Sequence, residues 1–429
     1  MFNSVTTGYE AVSKSSYKVL ILSVSAGTGH LRAGEALARA AAVSTQTREV
    51  LHVDALRYTN QIFRRFYGRF YVDLIKTAPT LLGWFYESQD EPWKTEKMRL
   101  MLDRMNTGPL VRMIRKFNPD LTICTHFLPA EILAHLIKKE SLKTRLSIVV
   151  TDYYVHAMWL SRCFHHYFVA NELSRVQLEN IGFPPDRITV SGIPIDPVFE
   201  EPKEPAELRK YFSMDPALPL LLVSAGALGM GSAAHVVRAL ELLRTPAQVM
   251  VICGRNEKLL GQVNREIRLR GTGRIRFHAT GYTTEMDAWM KAADLYIGKP
   301  GGLTVSEAMS CGLPMVIYQP IPGQEERNSD FLLEHGAAVK CNQLSTMAYQ
   351  VDQILGDPAR LEAMRSAARQ IGQPEAARRI IQTLMNQLDN SAYQIPRDRS
   401  ELEKALIKIR YLGRRISRRR DEEKRRFKI

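Results

Sequence analysis

Three side chains in this sequence stand where their chemistry could be used: His30, Asp152 and Glu307. His30 closes the run Ser25-Ala26-Gly27-Thr28-Gly29-His30, in which two glycines let the backbone approach a ligand closely. An imidazole at the mouth of a helix, above a cleft, has the titration range of a general base. A first-turn histidine with no task is the plain alternative. Asp152 and His156 lie four residues apart in Thr151-Asp152-Tyr153-Tyr154-Val155-His156-Ala157-Met158-Trp159, just past an apolar run. Such a pair could orient an acceptor hydroxyl or support a base; a helix-capping Asp and a surface His would read the same way. Glu307 sits in Gly298-Lys299-Pro300-Gly301-Gly302-Leu303-Thr304-Val305-Ser306-Glu307-Ala308-Met309. A glycine turn between strand and helix aims backbone N–H groups outward at the positive end of the helix dipole, which seats a phosphate. A carboxylate in that helix repels phosphate unless it faces hydroxyl groups beside it, as on a ribose. The combination points to a nucleotide diphosphate held at its phosphates and its sugar together.

Other loops belong with these. Ser224-Ala225-Gly226 opens a second glycine-rich turn that could touch phosphates, or could be a tight turn with no ligand. Pro322-Gly323-Gln324-Glu325-Glu326-Arg327-Asn328 places amides and carboxylates where sugar hydroxyls could lie, unless it is simply a solvated loop. No Asp-x-Asp pair and no His/Asp/Glu/Cys cluster with metal-ligand spacing occurs, so no metal and no cofactor is expected. Leaving-group charge must then be met by backbone amides, a helix dipole and a cation such as Arg255 of Cys253-Gly254-Arg255-Asn256.

The elements that would position these groups follow from apolar, β-branched runs alternating with helix-like segments, the mark of parallel α/β sheets. Strands are predicted at Lys18–Val24, Glu49–Val53, Asp120–Thr125, Leu146–Thr151, His166–Ala170 and Ile188–Ser191, then at Pro219–Ser224, Gln248–Cys253, Ile275–His278, Ala293–Ile297 and Pro314–Tyr318. Four prolines between Pro194 and Pro205 read as a linker. The chain of 429 residues is therefore read as two doubly wound, Rossmann-like α/β domains, with ligands in the cleft outside the carboxyl ends of the strands. The boundaries are a flexible N-terminus (1–17), a first domain (18–196), a linker (197–206), a second domain (207–395) and a basic tail (396–429).

The formal charge is +14, and residues 397–429 hold fourteen Lys/Arg against six Asp/Glu. The rest of the chain is only mildly basic, which weakens a nucleic-acid reading of the whole protein. Five scattered cysteines without a Cys-x-x-Cys pair predict reduced thiols and a cytoplasmic setting. No run reaches the ~20 apolar residues of a spanning helix, and Met1 to Tyr17 lacks the apolar core of a signal peptide. A long insertion at 60–116 carries Phe63, Phe66 and Phe70 at helical spacing, with Arg64, Arg65 and Arg69 interleaved. This stripe fits a core-facing amphipathic helix, and equally an interfacial helix among anionic head groups.

Taken together, the strings at 25–30, 151–159, 190–195, 253–256, 298–308 and 322–328 resemble glycosyltransferase family 28, nearest the branch of monogalactosyldiacylglycerol synthases and processive diacylglycerol glucosyltransferases. The resemblance runs from about residue 18 to 375. It implies a GT-B fold and metal-independent, inverting transfer of glucose or galactose from UDP-glucose or UDP-galactose to the hydroxyl of diacylglycerol. It further implies that Glu307 binds the ribose hydroxyls and that Gly301, Gly302 and Thr304 bind the diphosphate. Gln324, Glu325 and Asn328 would read the donor sugar, and the backbone at Gly281 and Tyr282 would hold the uracil. His30 would be the base, with His156 and Trp159 near the lipid acceptor. A peripheral protein on the cytoplasmic face of an anionic membrane is expected, with no nucleic-acid partner. The alternatives are transfer of N-acetylglucosamine to a polyprenyl-linked acceptor, a UDP-sugar epimerase of the same fold, and a basic adaptor acting through its tail.

Overall fold

Val19-Leu20-Ile21-Leu22 and Leu220-Leu221-Leu222-Val223 leave no face for water, so each must be covered on both sides. In the computed structural model, which describes residues 16–390 apart from 26, 60–107, 140, 162, 227–232 and 271–272, both runs lie inside all-parallel sheets. The first sheet contains β1 (Tyr17–Ser23), β2 (Thr47–Asp54), β3 (Leu121–Cys124), β4 (Arg145–Val149), β5 (His166–Val169) and β6 (Ile188–Val190). Their spatial order is β2-β1-β3-β4-β5-β6, with Leu20 opposite Leu51 and Ile21 opposite Ile123. The second contains β7 (Leu220–Ser224), β8 (Ala247–Ile252), β9 (Ile275–Thr280), β10 (Leu295–Gly298), β11 (Met315–Tyr318) and β12 (Ala338–Cys341), in the order β12-β11-β10-β7-β8-β9. This is the doubly wound α/β architecture, twice over.

Every predicted strand is present, and Tyr17, placed in the flexible N-terminus by the sequence, begins β1. The edge strand β12 was not predicted: Ala338-Val339-Lys340-Cys341 is short and carries a lysine, as edges do. A larger correction concerns the helix Ala376–Asn390, assigned by sequence to the second domain. Its stripe of Ala377, Ile380, Ile381, Leu384, Met385 and Leu388 packs with Val19, Ile21, Leu37 and Phe168 of the first. The chain therefore returns to the first domain, where Tyr17 Oη donates to Asp389 Oδ1 over 2.8 Å. The predicted linker is also packed. Lys203 pairs with Asp287, and Lys291 Nζ donates to the carbonyls of Val198 (2.9 Å) and Glu201 (2.6 Å).

A joint core binds the two domains: Tyr153, Ile193 and Ile195 of the first share one apolar cluster with Leu303, Val305 and Met309 of the second. Cys124, Cys163, Cys253 and Cys341 are buried and none of the five cysteines is bridged. Among the described residues no helix is long and apolar enough to cross a membrane. Phe63, Arg64, Arg65, Phe66, Phe70 and the basic tail lie outside the described residues.

Candidate active site

In the first sheet the strand order reverses between β1 and β3, and in the second between β7 and β10. A crevice opens at such switch points beyond the carboxyl ends of the strands. The helix Gly29–Ala42 after β1 carries His30 in its first turn, and His30 Nδ1 lies 2.9 Å from the carbonyl oxygen of Thr125 and 2.9 Å from Thr151 Oγ1, just past β3 and β4. A carbonyl only accepts, so Nδ1 carries the proton and Nε2 keeps its lone pair. Thr125 Oγ1 in turn donates to the His30 carbonyl (2.9 Å) and bonds Ser23 Oγ (2.8 Å), which bonds His52 Nε2 (2.8 Å). Burial lowers the pKa of His30, against the opposing pull of the Asp152 charge and the Thr125 carbonyl. The ring is thus neutral at pH 7, held at one nitrogen and basic at the other. Gly27, at φ +96°, has no neighbour within 4 Å of the place a Cβ would take, so the loop beside His30 is open.

Asp152 is buried, and both its oxygens have donors: Trp159 Nε1 at 3.0 Å and Gln324 Nε2 from the second domain. Its carboxylate is fixed near His30 as an electrostatic partner, with Nδ1 already committed to Thr125. His30 Nε2 is the ring nitrogen left able to take a proton. Trp159, expected at the acceptor, anchors this carboxylate through its indole N–H. His156, expected there too, is 1% exposed, and its Nδ1 accepts from the Met158 N–H (3.2 Å) to cap the turn Ala157–Trp159. Its place is inside the loop rather than on the acceptor, because a tight turn needs that N–H satisfied. Tyr167 Oη holds the same loop, accepting from Ser161 N and donating to the Trp159 carbonyl, both at 2.8 Å. A cavity of about 100 Å³ beside it is lined by Phe127, Ala130, Ala134, Met158, Trp159 and Leu160, with Glu131, His135 and Lys138 among its walls.

On the other side, Gly301 caps the helix Gly302–Ser310 with extended backbone and no side chain bonding the first-turn N–H groups. Those amides remain for a phosphate. Gly302 has a second reason to be glycine: a Cβ there would stand 2.4 Å from the carbonyl oxygen of Thr151, so the domains touch backbone to backbone. At Gly301 the nearest atoms would be an ordinary 3.8 and 3.9 Å away, on Glu325 and Thr304. Glu307 is 2% exposed, and burial raises its pKa to about 7, opposed by Arg32 and reinforced by Asp196 and Asp287. Arg32 Nη2 approaches Glu307 Oε1 to 2.6 Å, yet no aligned N–H or O–H serves that oxygen. A buried carboxylate oxygen without an aligned donor has acceptor capacity that the fold leaves unused.

Three further predicted donor residues diverge. Gln324 reaches Asp152 as above, and Glu325 Oε2 accepts from the Ile321 N–H (2.6 Å), with burial raising its pKa against that bond and Lys299. Asn328 is 1% exposed and spent on structure: Oδ1 accepts from Tyr153 N (3.2 Å) and Nδ2 donates to the Pro300 carbonyl (2.9 Å). It ties the glycine turn to the first domain instead of reading a sugar. At the far end of the sheet Arg255 lies over the exposed ring of Tyr282, 4.6 Å from its centroid, beside Gly281. That platform, past the ends of β8 and β9, suits a base better than a diphosphate. Gly226, at φ +74° after β7, has no atom within 4 Å of a Cβ and donates its N–H to Ser224 Oγ (3.2 Å).

Sequence reasoning missed Arg32, Thr125 and Tyr153. Tyr153 Oη bonds Ser306 Oγ (2.9 Å) across the domains, and its ring packs tilted against Phe331, centroids 4.5 Å apart. Only Thr125 left a signal, as a polar residue ending a buried strand. Among the described residues no group of three or more His, Cys, Asp or Glu converges as a metal site.

Residues 30–195 match the monogalactosyldiacylglycerol (MGDG) synthase family, and residues 219–371 match the glycosyl transferases group 1 family. Similar proteins include the processive diacylglycerol beta-glucosyltransferases of Bacillus pumilus, 27% identical over 87% of this chain and 95% of that protein, and of Staphylococcus saprophyticus, 28% identical over 88% and 94%. Among solved structures, Acinetobacter baumannii MurG shares the fold at TM-score 0.55, with 17% identity over 86% of this chain and 99% of that one. The UDP-GlcNAc 2-epimerase of Neisseria meningitidis shares it at 0.54, with 14% identity over 86% and 100%. At these identities the two structures speak for the GT-B fold alone.

Proposed function

We propose that this glycosyltransferase, an MGDG-synthase-type domain joined to a group 1 transferase domain, moves glucose or galactose from its UDP derivative to the hydroxyl of diacylglycerol. One observation carries the reading: Arg32, two residues past the neutral His30, reaches the buried Glu307 carboxylate. The base and the ribose-binding group are therefore one side chain apart. In the proposed step the diacylglycerol oxygen attacks the anomeric carbon on the face opposite UDP, and its proton passes to His30 Nε2. The bond from that carbon to the diphosphate oxygen breaks, and its electron pair leaves with UDP. Asp152 steadies the imidazolium that forms, and the free amides of the helix Gly302–Ser310 steady the diphosphate. Attack from the opposite face inverts the anomeric centre, in keeping with the "beta" in the relatives' names.

The reading includes independence from metal, since the helix amides supply the charge that a metal would. The cavity beside Trp159, apolar on its Phe127, Met158 and Leu160 side, offers room for part of an acyl chain. Reduced buried thiols and the net positive tail favour the cytoplasmic face of an anionic membrane. The test is to incubate the protein with diacylglycerol vesicles and UDP-glucose or UDP-galactose, with chelator present, and to identify the lipids by mass and chromatography. Glycosylated diacylglycerol supports the reading. UDP release without a lipid product, or epimerised UDP-sugar, overturns it.

A further inference from the structure

One cation of the first domain lies on the carboxylate assigned to the ribose. Arg32 is half-exposed on the helix Gly29–Ala42, and its Nη2 stands 2.6 Å from Glu307 Oε1 on the opposing domain. Glu307 is otherwise faced by the acidic Asp196 and Asp287, so the guanidinium is what partly offsets its burial. A ribose whose 2′ and 3′ hydroxyls both donate to Glu307 needs both carboxylate oxygens, and Arg32 covers one. The ion pair lacks an aligned hydrogen bond at that oxygen, so hydroxyl donors gain there what the guanidinium leaves unmade. The domains do not depend on this pair. Tyr153 to Ser306, Tyr153 N to Asn328, and Gln324 to Asp152 hold the same joint.

We propose that Arg32 is a specificity-determining residue: it occupies the ribose carboxylate when no nucleotide is bound and yields it only to a ligand bearing a vicinal diol. Entry of the donor then frees the His30 helix from the donor domain at that point. The inference rests on the reading of Glu307 as the ribose ligand. A competitor that holds the site most of the time raises the apparent Kd by the inverse of the open fraction, so its removal tightens binding by about three- to tenfold.

The experiment is calorimetric titration of the full chain with UDP and, separately, with inorganic diphosphate, at pH 9. That pH keeps Glu307 ionised after the guanidinium is lost. Arg32→Gln should bind UDP about three- to tenfold more tightly, Arg32→Lys should fall between it and the unaltered protein, and diphosphate should bind no more tightly than before. Unchanged or weaker UDP binding by Arg32→Gln overturns the proposal, as does equal tightening of diphosphate. A double change, Arg32→Gln with Glu307→Ala, separates the two readings. If it binds UDP as well as Arg32→Gln alone, the ribose assignment itself fails.

Discussion

Glu307→Gln should make the protein more stable and a poorer nucleotide binder at once, and the structure sets the size of the first effect. In an unfolded chain the carboxyl titrates near 4.5; in the fold, burial holds it at about 7 in spite of Arg32. Below pH 4.5 both states keep the proton and the group is neutral in each. As pH rises the unfolded chain ionises first, so stability falls through this window and the full cost is present above pH 7. A displacement of ~2.5 pH units at 1.36 kcal/mol each is about 3 kcal/mol at pH 8. Glutamine has the same shape and no charge, and the half-exposed Arg32 turns to water at little cost, so most of that figure should be recovered. Urea unfolding of both proteins at pH 5 and pH 8 tests this. The variant should gain less than about 1 kcal/mol at pH 5 and ~2–3 kcal/mol at pH 8. Its UDP affinity should drop about tenfold or more, because hydrogen bonds to a charged acceptor are the stronger ones. A variant that is less stable at pH 8, or a gain that does not change with pH, would refute the burial argument.

Three further outcomes are expected. His30→Ala should lower kcat by roughly 10²–10⁴ with UDP binding nearly unchanged, and since burial lowers the His30 pKa, the acid limb of kcat at saturating donor, where Glu307 is already engaged, should lie below pH 6.5; a limb above 7 would assign it to another group. Trp159→Phe keeps the ring but removes the N–H on Asp152, which should reduce kcat by up to roughly 10- to 150-fold, a bond to a charged acceptor being worth ~1.5–3 kcal/mol. Gly302→Ala forces a methyl against the Thr151 carbonyl and should cost about 1–3 kcal/mol in unfolding experiments together with most activity. Gly301→Ala meets only ordinary contacts and should stay within ~1 kcal/mol of the unaltered protein; equal effects at the two glycines would sink the close-approach account.

The strands were legible because parallel sheets are covered on both faces, so β1, β7 and β8 carry the unbroken apolar runs 19–22, 220–223 and 249–252. The same physics hid β12, an edge strand with one lysine and four residues. The last helix shows a different limit. Its apolar stripe from Ala377 to Leu388 announces a buried face, but periodicity says nothing of which core receives it. The GT-B arrangement was legible in kind, and the return of the chain to its first domain was not.

For the site, the segments were legible because switch points place ligand-binding residues after particular strands: His30 follows β1 and Gly301 and Glu307 follow β10, with Asp152 beyond β4, one strand further along. What each residue touches depends on the opposing domain, which a single stretch of sequence does not contain. Polar residues at the right loop divided accordingly: His156 and Asn328 are consumed by backbone groups, whereas Glu307 retains an oxygen without an aligned donor. The contacts that close the domains fall on the very segments proposed to hold the donor, through Gly302 at Thr151, Ser306 at Tyr153, Gln324 at Asp152 and Glu307 at Arg32. A donor that uses Glu307 and Gln324 must therefore replace existing partners, and its measured affinity is a difference between two sets of contacts. Fragments of the donor gain few new contacts yet must still break the old ones. Uridine carries the ribose and so meets the same displacement cost as UDP without the diphosphate contacts that offset it, and Arg32→Gln should tighten uridine and UDP by the same factor.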